Sequence, residues 1–73
     1  HMKVNDNVYK LKHTQKTDSG WILRHVYKTF PRTNEGLLKA FEEAEWIMNR
    51  YGKTQEVSIW HKDLKIWPNE ETI

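Results

Sequence analysis

The stretch GWILRHVYKTFP, residues 20–31, is the longest β-forming run of the chain, and its reading decides the rest. β-Branched and aromatic residues fill it, a glycine opens it and a proline closes it. Alternate side chains of a strand point to opposite faces. Trp21, Leu23, His25, Tyr27 and Thr29 therefore share one face, and Ile22, Arg24, Val26, Lys28 and Phe30 share the other. The first set is expected to rest on a core. The second, which carries two cations, is expected to meet water or a partner.

Working outward, Val8 to His13 (VYKLKH) alternates in the same way, with Tyr9, Leu11 and His13 on one side and Val8, Lys10 and Lys12 on the other. Thr14 to Gly20 (TQKTDSG) is a loop by composition. A hairpin closed there, with paired residue numbers summing to about 34, opposes Tyr9 to His25, Leu11 to Leu23 and His13 to Trp21, which matches the apolar parities. Pro31 stops the second strand. Thr33 or Asn34 then caps a helix over 33–51, with Glu35 in its first turn and Gly36 as a weak position there. Leu37, Ala40, Phe41, Ala44, Ile47, Met48 and Tyr51 form its apolar stripe, and Gly52 ends it. Trp46 falls opposite the stripe, among Glu42, Glu43, Asn49 and Arg50, and is expected to be exposed.

Gln55 to His61 and Leu64 to Trp67 read as a closing hairpin. A two-residue turn at Lys62-Asp63 pairs Trp60 with Lys65 and Ile59 with Ile66. Pro68 ends the last strand. The expected fold is α+β, a ββαββ chain forming a four-stranded antiparallel sheet with one helix packed on one face. Tyr9, Leu11, Trp21, Leu23, Tyr27, Val57, Ile59, Leu64 and Ile66 would lie under the helix. Residues 3–68 make one domain, with a polar turn near its start. His1-Met2 reads as an expression scar, and 69–73 as a polar acidic tail.

This order of elements resembles a family of small bacterial and phage domains of unknown function. The matching residues are Val8-Tyr9, Gly20-Trp21 opening the second strand, Thr33 leading the helix to Tyr51, and the closing hairpin Ile59 to Ile66 (IWHKDLKI). The resemblance covers most of residues 8–67. It departs at the last turn, where the family tends to have Asp-Gly and Asp63 is here followed by Leu64. It implies the fold and lends no functional residues.

Charge is unevenly spread. The net charge is only +2, but residues 8–32 hold Lys10, Lys12, Lys16, Arg24, Lys28 and Arg32 against Asp18 alone. Residues 33–52 hold Glu35, Glu42, Glu43 and Glu45 against Lys39 and Arg50. A basic hairpin beside an acidic helix can orient a charged partner. With 73 residues and no cysteine, there is little room for a pocket beside a core, and no disulfide or thiolate metal site. No run is long and apolar enough for a membrane span, so the expectation is a cytoplasmic protein with no membrane partner.

No nucleophile, base and orienting group fall together, so an enzyme is not expected. His13, His25 and His61 share a parity, but no carboxylate stands at metal-ligand spacing beside them, and they read as strand residues. No metal or cofactor is expected. The open sheet face is the candidate binding site: Lys10, Lys12, Arg24, Val26, Lys28, Trp60, Lys65 and Trp67, joined by Trp46 on the helix. The leading reading is a small non-enzymatic binding protein, an inhibitor or adaptor of phage type. It would dock this face on a protein or nucleoprotein partner, or on a second copy as a homodimer. The alternative is single-stranded DNA or RNA binding by the same face, with cations on phosphates and flat rings on unpaired bases. The bland alternative is that Trp60 and Trp67 only cover a bare sheet.

Overall fold

The computed structural model describes residues 7–52 and 55–68. The expectations for His1-Met2, for residues 3–6 of the polar turn expected at 3–7, and for the tail at 69–73 lie outside them. The elements are β1 (Val8–Lys16), β2 (Ile22–Pro31), α1 (Asn34–Tyr51), β3 (Glu56–His61) and β4 (Leu64–Trp67). The fold is the expected α+β ββαββ arrangement. One antiparallel sheet in the order β2-β1-β3-β4 carries α1 on one face.

The first hairpin shows why the side-chain faces differ from the simple parity reading. β1 runs on to Lys16, beyond the expected end at His13. The loop is only Asp18-Ser19-Gly20. Gly20 N–H donates to Thr17 C=O (2.9 Å), Thr17 N–H donates to Trp21 C=O (2.9 Å), and Gly20 takes φ +94°. A type I turn followed by a left-handed glycine is a common three-residue hairpin connection. Lys16 then opposes Ile22, but the next pair is Gln15 with Arg24, so Leu23 is skipped. A one-residue slip carries every later side chain to the other face. Leu11 now opposes Lys28, and Tyr9 opposes Phe30.

The expectation that Trp21, Leu23 and Tyr27 lie under the helix is corrected, Tyr27 being the one that the slip carries to the other face. They are 73%, 65% and 54% exposed, and Phe30, assigned to the outer face by parity, is buried. The exchange is sensible chemically. Phe30 carries no polar atom, whereas burying the Tyr27 hydroxyl or the His25 ring would require partners. Arg24 and Lys28 on the helix side lie on the sheet's edge strand, where long side chains lay their stems on apolar surface and keep their charges in water.

The core is Leu11, Phe30, Ala40, Ala44, Ile47, Val57 and Ile59, flanked by Tyr9, Leu37, Phe41 and Trp67. Two alanines on the buried face let α1 approach the sheet closely. Thr33 caps the helix, its Oγ1 accepting from Gly36 N–H at 3.0 Å. Gly36 is no weak position: a Cβ there would stand 1.9 Å from the Pro31 carbonyl oxygen, so only glycine lets the first turn rest on the end of β2.

The second hairpin turns at Lys62-Asp63 and pairs Trp60 with Lys65, both as expected. The register then slips, and Ile59 opposes Trp67 instead of Ile66. Trp67 is thereby turned to the helix side, edge-on to Phe41 with ring centroids 6.1 Å apart. Leu64, expected in the core, is 67% exposed at the start of β4.

Candidate functional site

The slip at Leu23 rebuilds the open face from different residues of β2. Three cross-strand rows can be followed over it. Thr29, Lys10, Trp60 and Lys65 form the first; Tyr27, Lys12 and Ser58 the second; His25, Thr14 and Glu56 the third. Two aromatic rings, Tyr27 on β2 and Trp60 on β3, thus flank the central lysines of β1. Two strand spacings put them about 10 Å apart. Lys10 Nζ lies 5.5 Å from the Tyr27 ring centroid, within cation–π range. Trp60 Nε1–H donates to Ser58 Oγ at 2.8 Å, which orients the indole. Lys10, Lys12, Tyr27, Trp60 and Lys62 line a shallow concavity of about 220 Å³.

The third row closes one end of this platform. Thr14 Oγ1 and His25 Nδ1 share a hydrogen bond of 2.8 Å, and Thr14 is buried although it faces outward. Glu56 is 2.7 Å from Lys16 Nζ. That hydrogen bond, the Lys16 charge and, more weakly, Lys12 and Lys65 hold its carboxyl below the ordinary 4.5, against the opposing effect of slight burial. The acids of α1 stand on the other side of the sheet. Among the described residues the three rows are therefore positive on balance, and their carboxylate, Glu56, is already engaged.

Of the residues expected at the site, Lys10, Lys12, Trp60 and Lys65 come together on this face. The others do not, and the two register slips explain four of them. Arg24 is turned to the helix side, its Nε–H donating to Gln15 Oε1 at 2.7 Å. Lys28 faces α1, with Nζ 3.6 Å from Glu43 Oε1. Val26 joins Trp46, Ile47 and Tyr51 in a groove of about 120 Å³ between β2 and the helix. Trp67 belongs to the margin of the core. Trp46 is half exposed, but it flanks the apolar stripe rather than standing opposite it, lining the groove to β2 on the side of the sheet away from Trp60, edge-on to Tyr51.

Tyr27 and His25 are the residues missed. Their signal was present, since each has a flat ring with a polar tip that favours a wet surface over a core. The three histidines do not converge. His13 Nε2–H donates to Gln55 Oε1 at 2.8 Å on the helix side, His61 packs on Tyr9, and His25 is on the opposite face. No helix among the described residues is long and apolar enough to cross a membrane. No protein-family model matches the chain, and neither a curated protein nor a solved structure does.

Proposed function

We propose that this is a small cytoplasmic, non-enzymatic binding protein whose open sheet face takes single-stranded DNA or RNA, alone or displayed by a nucleoprotein. The observation that carries the reading is the arrangement of Tyr27 and Trp60 on either side of Lys10 and Lys12. Ammonium groups neutralise phosphates, and rings on the same surface stack on unpaired bases without regard to sequence. The slips take Arg24 and Lys28 off the face together with Val26 and Trp67, so it is less basic than the sequence implied but also less apolar, and the remaining Lys10, Lys12 and Lys65 around two rings suit a nucleic acid better than an apolar protein contact.

The test is a titration of labelled mixed-sequence oligonucleotides at several salt concentrations. Three lysines on phosphates give a log–log salt slope of about −2 for a single strand. Trp60→Ala weakens binding about tenfold or more, within the range found for one lost base stack. Binding that is absent at low salt, or indifferent to both salt and Trp60, contradicts the reading.

A second reading keeps the face and replaces the strand by an acidic protein surface, as an inhibitor or adaptor would need. Its support is the exposed Trp21-Ile22-Leu23 run where the chain enters β2, because exposed aliphatic side chains such as Ile22 and Leu23 contribute to protein contacts and little to base stacking. Capture of a protein that oligonucleotides fail to displace would favour it.

A further inference from the structure

β4 is too short to cover β3. It has four residues and stops at Trp67, opposite Ile59, with Pro68 following, whereas β3 reaches back to Glu56. Among the described residues, no strand pairs with Glu56, Val57 and Ser58 on that side. The gap is a cleft of about 580 Å³, within the roughly 300–1,000 Å³ of small-molecule sites. It lies at the sheet's edge, outside the core, which is how so short a chain finds room for it. Trp60 reaches it from the open face, and Trp67 and Pro68 reach it from the helix side. The bond from Trp60 Nε1–H to Ser58 Oγ draws the indole along β3 toward the gap.

Charge and backbone narrow what the cleft can take. Lys12 and Lys65 line it, and its carboxylate, Glu56, is held 2.7 Å from Lys16 Nζ. Lys12 makes no ion pair among the described residues, so an anion is favoured there. Arg32 N–H donates to Asn7 C=O, so odd-numbered residues of β1 bond to β2 and even-numbered ones to β3. Ser58 and Glu56, opposite Lys12 and Thr14, therefore turn their backbone groups to β1, and Val57 turns its N–H and C=O to the gap. From these groups we infer that the cleft binds a free mononucleotide. The base stacks on Trp60, its edge of donors and acceptors meets the Val57 backbone, and the phosphate lies between Lys12 and Lys65. Inorganic phosphate alone would leave the rings without a partner, and a simple aromatic acid would leave Val57 without one. The cleft takes the monomer whether or not the open face takes a strand. A strand lying over Tyr27 and Trp60 does not reach Met48 or Trp67, so the two kinds of binding leave different marks.

The test is an NMR titration with AMP and UMP, each taken to millimolar concentration. Saturable shifts are expected at the Val57 and Ser58 amides and at the Trp60 and Trp67 indoles, with Tyr27 unmoved. Inorganic phosphate and adenosine, each alone, should bind about tenfold or more weakly than AMP, since each lacks one set of contacts. Met48 lines the cleft from a half-exposed helix position, and Met48→Glu sets a carboxylate there. It should weaken AMP about tenfold or more by repelling the phosphate, and unchanged Leu11 and Ile59 resonances certify that the variant is folded. No saturable shift with either nucleotide overturns the proposal. So do shifts centred on Lys10 and Tyr27, or phosphate or adenosine binding as tightly as AMP. An oligonucleotide that shifts Tyr27 while AMP shifts nothing removes the mononucleotide site and leaves strand binding standing.

Discussion

Gly36 and Lys62 show how single backbone positions constrain this small domain. The Cβ of an alanine at 36 would occupy the space of the Pro31 carbonyl, and the loss of packing and capping that follows should destabilise the protein by about 2–4 kcal/mol. Chemical denaturation of Gly36→Ala measures it, and an unchanged midpoint would remove the argument for close approach. Lys62 holds φ +57° in the turn between β3 and β4, a conformation that costs a side-chain-bearing residue about 1 kcal/mol. Lys62→Gly should therefore raise stability by up to about 1 kcal/mol, read from the same experiment. Glu56 has the opposite kind of sensitivity. Its folded pKa is depressed, so its contribution is present above the ordinary 4.5 and lost as pH falls through the folded value. The Glu56 side chain is 67% exposed, so water screens the pair although Lys16 is largely covered, and the loss is on the order of 0.5 kcal/mol. A carboxyl titration of Glu56 followed by NMR should show a midpoint below 4.5, and Lys16→Ala should bring that midpoint up.

The elements themselves were legible in the sequence, and their pairing was only partly so. The helix declared itself by the stripe from Leu37 to Tyr51, the Thr33 cap and Gly52. Its observed span, Asn34–Tyr51, follows those signals. β4 and its two-residue turn were read correctly despite the missing glycine. What periodicity could not reveal was a skipped residue. One slip at Leu23 and another beside Ile66 each exchange the two faces of a strand, so Tyr27 and Trp67 traded places between platform and core. Nothing in an alternating pattern marks a bulge, because the pattern on either side of it stays perfect. The clue lay in chemistry: Phe30 is better buried than Tyr27. The same slip predicts the effect of mutation. Phe30→Ala should cost about 3 kcal/mol or more, and Tyr27→Ala less than about 1, a contrast that parity alone would reverse.

Taken together, the charges are spread unevenly across the sheet, with Arg24 and Lys28 on the helix side as the exceptions among the basic residues of β2. Acids gather on α1, while lysines and two rings gather on the uncovered face. Folding is handled by Leu11, Ile59 and the helix alanines, and Lys10, Lys12, Tyr27 and Trp60 carry the proposed binding face. The most direct measurement is an NMR map of amide and indole shifts on adding a mixed-sequence single-stranded oligonucleotide at low salt. The shifts are predicted at Lys10, Lys12, Tyr27, Ser58 and the Trp60 indole, fading as salt rises, with Phe41, Trp46 and Trp67 unmoved. Shifts confined to the helix side, or none at all, would contradict the account.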